Sequence, residues 1–198
     1  MGIKEKFNSI LVSLGLRKEE KEEDIVRPED LVYNDNIQGE FFGVPFGATI
    51  EEVIEGFAKH NLFPIKDSST DAIEFRGKLH ENGISFDNFS FGGFRWDSVV
   101  MFFSNRRFYY IRFVATHNDK VSALRNSFDV LEKLSNIYRM YHQKDDDSAT
   151  LVRHVGLGIN RRNVILRCLA SLTPAENIIA KVWLNYYDDN FYTENNEL

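Results

Sequence analysis

The chain has 198 residues, enough for one sizeable domain or two small halves sharing a core. Its 43% hydrophobic and 27% charged residues are ordinary for a soluble globular protein, and a net charge of −6 argues against nucleic acid as a partner. The single cysteine, Cys168, excludes an intramolecular disulfide and any cysteine-based metal cluster.

Residues 3–16 place Ile3, Phe7, Ile10, Leu11 and Leu14 at helical spacing, which predicts a short amphipathic helix. Lys4, Lys6 and Asn8 interrupt its apolar run, so it does not read as a secretory signal. With one thiol and no export signal, the expected compartment is the cytoplasm. The net acidic run 17–24 (RKEEKEED) weighs against a membrane-surface role for this helix, and no run is long enough to span a bilayer. Residues 1–38 are read as this helix plus a charged linker, and 39–187 as a single α+β domain.

Within that domain, Gly43, Pro45 and Gly47 predict a turn, and Thr49 with Glu52 predicts a capping box. Ile50, Val53, Ile54, Phe57 and Ala58 then form an apolar stripe that ends near His60-Asn61. Alternating runs 73–79 and 84–91 flank Asn82-Gly83, a hairpin signal. A second hairpin is expected from 99–103 and 108–115 around Arg106-Arg107. Both faces of 108–115 carry hydrophobic residues, which points to a central strand.

A longer helix is predicted over about 119–141, with Val121, Leu124, Phe128, Leu131, Leu134 and Tyr138 on one stripe. Three more runs follow, 150–159, 164–172 and 178–187, joined by connections of hairpin length that force antiparallel pairing. Residues 188–198 (DDNFYTENNEL) read as an acidic, fraying tail. The predicted fold is therefore α+β: two helices on one face of a mostly antiparallel sheet of six or seven strands, plus the N-terminal helix. A helix followed by strands occurs twice, over about 41–116 and 118–187, as in a tandem repeat.

The stretch Gly43-Val44-Pro45-Phe46-Gly47, the helix with Glu51-Glu52-Val53, then Phe91-Gly92-Gly93-Phe94 and Asp97-Ser98-Val99 resembles the α/β repeat of bacterial BLIP-like proteins. The resemblance covers about 41–187 and implies tandem helix-plus-antiparallel-sheet units with a protein-binding function. The chain departs from that group in lacking an export signal and paired cysteines.

No catalytic constellation stands out. His60, His80, His117, His142 and His154 form no metal-ligand spacing within one element. Gly156-Leu157-Gly158 is followed by no helix and no Lys-Ser/Thr, so it marks a bulge or a close backbone approach rather than a phosphate loop. Asp145-Asp146-Asp147 lacks the ligand spacing of a calcium loop. No metal and no cofactor are expected. The leading expectation is a non-enzymatic protein-binding module, with Phe94, Trp96, Arg106, Arg107, Arg161 and Arg162 as partner-binding candidates. The alternative is a small-ligand binder or enzyme using a sheet–helix cleft, with His154, Tyr110 and Arg112 as its polar group.

Overall fold

The computed structural model describes residues 31–65, 73–75, 78–80, 83–145, 147–172 and 177–192. The chain divides into two units, 1–31 and 32–198, and the architecture below is that of the second. The predicted N-terminal helix lies outside the described residues.

The unit is α+β, with two helices and a large antiparallel sheet. A two-residue hairpin, β1 (Glu40–Phe41) and β2 (Val44–Pro45), leads into α1 (Ile50–Ala58). The capping box forms as the sequence predicts. The Glu52 N–H donates to Thr49 Oγ1 at 3.3 Å, and the Thr49 N–H donates to Glu52 Oε2 at 2.7 Å. Val53 and Phe57 are the buried residues of α1. Gly56 lets the helix lie close on β2, because a Cβ there would collide with the Val44 side chain.

Next come β3 (Ile73–Phe75) and β4 (Lys78–His80), which pair with each other. Asn82 of the hairpin expected across Asn82-Gly83 lies outside the described residues, among which β4 does not pair with β5 (Gly83–Phe91); β5 pairs with β6 (Phe94–Ser104). A two-residue turn joins them. Gly92 and Gly93 have φ of 63° and 80°, the conformation that a right-twisted two-residue hairpin loop requires. The next hairpin, β6 to β7 (Arg107–His117), uses Asn105 and Arg106 at φ 47° and 62°.

Helix α2 (Lys120–Ser135) starts on an Asp119 cap and is shorter than the sequence pattern predicts. Its buried face is Ala123, Leu124, Ser127, Val130 and Leu134, with Val121 exposed, so the core stripe is rotated from the predicted one. The chain then leaves the helix, and Tyr141–His142 become β8 against β9 (Thr150–Leu157). Asn34 fixes this departure by accepting the Arg139 N–H at 2.6 Å and donating to the Leu157 carbonyl at 3.0 Å. Residues 32–38, read above as the end of a linker, are thus tied into the sheet edge, and Ile37 is fully buried.

Two long strands, β10 (Arg162–Leu172) and β11 (Ile178–Asp188), complete the sheet in the order β5-β6-β7-β11-β10-β9-β8. Strand β11 pairs antiparallel with β7, so the third strands of the two meanders meet at the centre. One face of the sheet carries Phe86, Val99, Met101, Ile111, Phe113, Val182, Leu184, Tyr186, Val164, Leu166 and Cys168, all buried. Both helices lie on that face. Phe57 of α1 meets Phe86 at 4.9 Å, and Ser127 of α2 hydrogen-bonds the Cys168 thiol. Burial pushes that thiol up to about 12, which keeps it protonated and inert.

Phe41 is the aromatic hub, with ring centroids of Phe46, Phe91, Phe108, Phe113 and Tyr186 between 5.1 and 6.4 Å away. Phe91 and Phe113 stack at 4.3 Å. Asn88, at φ 48°, breaks the alternation of β5 and lets Phe91 reach the same face as Phe86.

Candidate functional site

The six candidates from the sequence divide sharply. Trp96 is fully enclosed, its indole N–H donating to the Phe91 carbonyl at 3.1 Å, so it is a core residue and not a surface anchor. Phe94 is half-buried beneath the Lys133 ammonium, which lies 4.7 Å from its ring and donates to the Gly92 carbonyl at 3.3 Å. The pair fastens the end of α2 to the β5–β6 turn.

The arginine-bearing hairpin tips do reach the same end of the sheet, because Tyr187 pairs with Tyr110 on one side and with Asn163 on the other. They do not form an open basic patch. Arg162 is bonded to Asp188 at 2.8 Å, and Arg107 donates to the Gly47 carbonyl at 3.0 Å. Arg106 reaches Glu51 at 3.5 Å with both side chains solvated, while Arg161 is exposed on a left-handed turn. A cleft of about 700 Å³ opens beside Arg107, between the β1–β2 hairpin and α1. Its charged lining residues already have partners: Lys59 with Glu55 at 3.5 Å and Glu52 in the capping box.

The trio His154, Tyr110 and Arg112 does not converge. The register pairs His154 with Leu166 on the helix-covered face, whereas Tyr110 and Arg112 share the opposite face with Asn185. His154 instead faces His142 across β8 and β9, ring centroids 5.3 Å apart. Burial and then the neighbouring His142 lower its pKa to about 4, so it stays neutral in the fold. Among the described residues, no group of three or more His, Cys, Asp and Glu side chains is placed to hold a metal ion.

The face that carries neither of the described helices, the helix-free face, is where unusual chemistry collects. At one end the bulge of β7 between its pairings with Phe103 and Phe102 turns Tyr109 out of register. Val100, Phe102, Tyr109, Tyr110 and Tyr192 form a small buried cluster there, with Tyr187 and Phe191 against it. The segment predicted to fray from residue 188 is thus strand to Asp188 and packed through Tyr192; its aromatic side chains supply the reason. Residues 193–198 lie outside the described set.

From that cluster a polar row crosses the central strands. Tyr110 Oη donates to Asn185 Oδ1 at 2.7 Å, and Arg112 Nε donates to the same oxygen at 2.8 Å. Arg112 Nη2 donates to Tyr110 Oη at 2.9 Å, and Asn185 Nδ2 donates to the Ile165 carbonyl at 3.0 Å. The Arg112 guanidinium lies 3.9 Å from the centre of the Trp183 ring, within strong cation–π range.

Beyond Trp183 stands a second guanidinium, Arg167, at 5.8 Å from the same ring. Its surroundings differ. Arg167 Nε meets Asp145 at 2.9 Å and Nη2 meets Asp147 at 2.7 Å, with Thr150 Oγ1 also accepting at 2.9 Å. Arg153 adds a third cation at 3.5 Å from Asp145. Burial alone would raise the Asp145 carboxyl, but the Asp147 N–H, Arg167, Arg153 and Thr150 together hold it below the usual carboxylate range. Arg167 is therefore neutralised twice over. Arg112 touches only neutral groups and has no carboxylate partner among the described residues.

Sequence reasoning named Arg112 and Tyr110 but missed Trp183, Asn185 and Arg167 as their neighbours. The missing signal was the pairing of β7 with β11, two segments about seventy residues apart that no local pattern connects.

The chain matches no family model, no curated protein and no solved structure. Among the described residues, no helix is long and apolar enough to cross a membrane.

Proposed function

We propose that this chain is a non-enzymatic protein-binding module, an inhibitor, immunity or assembly factor of a bacterial cytoplasm, and that it docks through the helix-free face of its sheet. The observation that carries this reading is the Tyr110–Arg112–Trp183 cluster at the centre of that face. Tyr, Arg and Trp are the side chains that dominate interface hot spots, because each combines large contact area with a polar handle. Both described helices pack on the other face; here Tyr110 is buried against Val100, Phe102 and Tyr109, while Arg112 and Trp183 remain half-buried and open to a partner. The order of helix then three-stranded meander, repeated, favours the tandem-unit reading and the BLIP-like resemblance, whose members bind proteins.

The test uses site-specific photo-cross-linking in the host. A photo-reactive side chain at Thr116 or Ile165, on the helix-free face, is expected to capture one defined partner; the same group at Asp129, on the exposed side of α2, is not. Trp183→Ala should abolish capture while the protein still melts cooperatively. Equal capture from both faces, or none from the helix-free one, rejects the docking assignment.

A further inference from the structure

The two guanidinium groups flanking Trp183 make a built-in comparison. On one side Arg167 is held by Asp145 and Asp147. On the other Arg112 is held just as firmly, but by an amide oxygen, a phenol oxygen and an aromatic face. A half-buried cation without a counter-charge loses hydration that dipoles only partly replace. On this face the three central strands β7, β11 and β10 place no carboxylate.

From this asymmetry we propose that the helix-free face recognises a partner protein through one carboxylate side chain, seated on Arg112 beside Trp183. This inference rests on the docking reading above and supplies the chemistry of the partner. Nε and Nη2 are already directed by Asn185 and Tyr110, while Nη1 has no partner among the described residues. The fork is thus oriented before binding, which lowers the entropy cost of the new contact. A carboxylate accepting from the Nη1 side would form a charge-assisted bond, shorter and stronger than those Arg112 makes now.

The surroundings select what carries that carboxylate. An isolated carboxylate on an exposed guanidinium gains little in water. A polypeptide segment also covers the half-buried Trp183 and Ile165, both on this face, and so dries the contact. Polyanions are disfavoured, because Asp145 and Asp147 stand on the far side of Trp183 and the whole chain carries −6. The fitting partner is therefore a segment with a single Asp or Glu flanked by apolar residues.

A displayed library of random twelve-residue peptides, panned against the full chain, provides the probe. Selected peptides are expected to share one Asp or Glu at a fixed place among apolar residues and to shift the amide signals of β7, β10 and β11. Replacing that carboxylate by its amide should weaken binding at least about tenfold, the scale for truncating one partner of a dry charge pair. Arg112→Gln should do the same, and Arg112→Lys should recover part of the loss. Replacing the acid in the peptide leaves the protein untouched, so this arm is decisive even where a variant fails to fold. Selected peptides that lack a carboxylate, or that bind Arg112→Gln equally well, overturn the carboxylate inference and leave the docking face standing. Failure to select any peptide for this face overturns both.

Discussion

The two faces of the sheet come from the same strands and obey different rules. On the helix-covered face, alternate residues of β6, β7, β11 and β10 are apolar and buried, and the aromatic rings of Phe41, Phe91, Phe113 and Tyr186 interlock. On the other face, the intervening residues of the same strands join a small buried cluster, Val100, Phe102 and Tyr110, to Arg112, Lys181, Trp183, Asn185 and Arg167. Period-two alternation explains why one sequence can write both surfaces without compromise. The first face carries the hydrophobic stabilisation of the fold. Away from its buried Val100–Phe102–Tyr110 end, the second carries specific, directional contacts whose net contribution to stability is small. Substitutions should therefore separate: stability losses on one face, recognition losses on the other.

The largest effect expected is at Phe113, which touches Phe41, Phe91, Trp96 and Tyr186. Phe113→Ala should cost about 3–5 kcal/mol in denaturant unfolding, the usual range for emptying an aromatic site. A loss under about 1 kcal/mol would show that the interlocked rings are not the centre of the core, and the contrast between faces would weaken.

Acid probes the edge of the same face. His154 is neutral when folded, with a pKa near 4 against 6.5 in the open chain. Between these values the unfolded state binds the extra proton, so stability is full above about pH 6.5 and falls as pH drops towards 4. The loss approaches about 3 kcal/mol at the low end of that window. His154→Gln should flatten the pH dependence of the melting temperature there; an unchanged slope assigns it elsewhere. The Asp145 ion pairs also weaken in acid, but the lowered pKa puts that loss below the ordinary aspartate value of 3.8.

A third test concerns the close seat of α1 on β2. Gly56→Ala improves helix propensity yet drives a methyl group into Val44, so a net loss of about 1–3 kcal/mol is expected from overpacking. Adding Val44→Ala should recover part of it, a coupling that independent sites would not give. The smallest expected change is Thr49→Ala, which removes one half of the capping box for about 1 kcal/mol. Neither change should alter binding at the helix-free face, and a change that did would break the separation of roles.

The local features were legible in the chain. The Thr49–Glu52 cap, the buried thiol of Cys168 and the hairpin joining β6 to β7 depend on residues close in sequence, so periodicity and turn chemistry suffice to read them. One local reading lost to a stronger neighbour: Asn34 drew residues 139–142 out of the predicted helix into the sheet edge.

By itself the sequence determined the element types, the alternation that makes each strand two-faced, and the acidic balance of the whole. Only the tertiary structure decided that β11 lies beside β7, and that pairing creates the Tyr110–Asn185–Arg112–Trp183 row. It also decided which arginines are spent: Arg162 on Asp188 and Arg167 on two aspartates, while Arg112 is left with neutral partners. The physical reason is that charge compensation acts through distances of a few ångströms in space. Residues seventy positions apart reach such distances only after the chain has chosen its strand order.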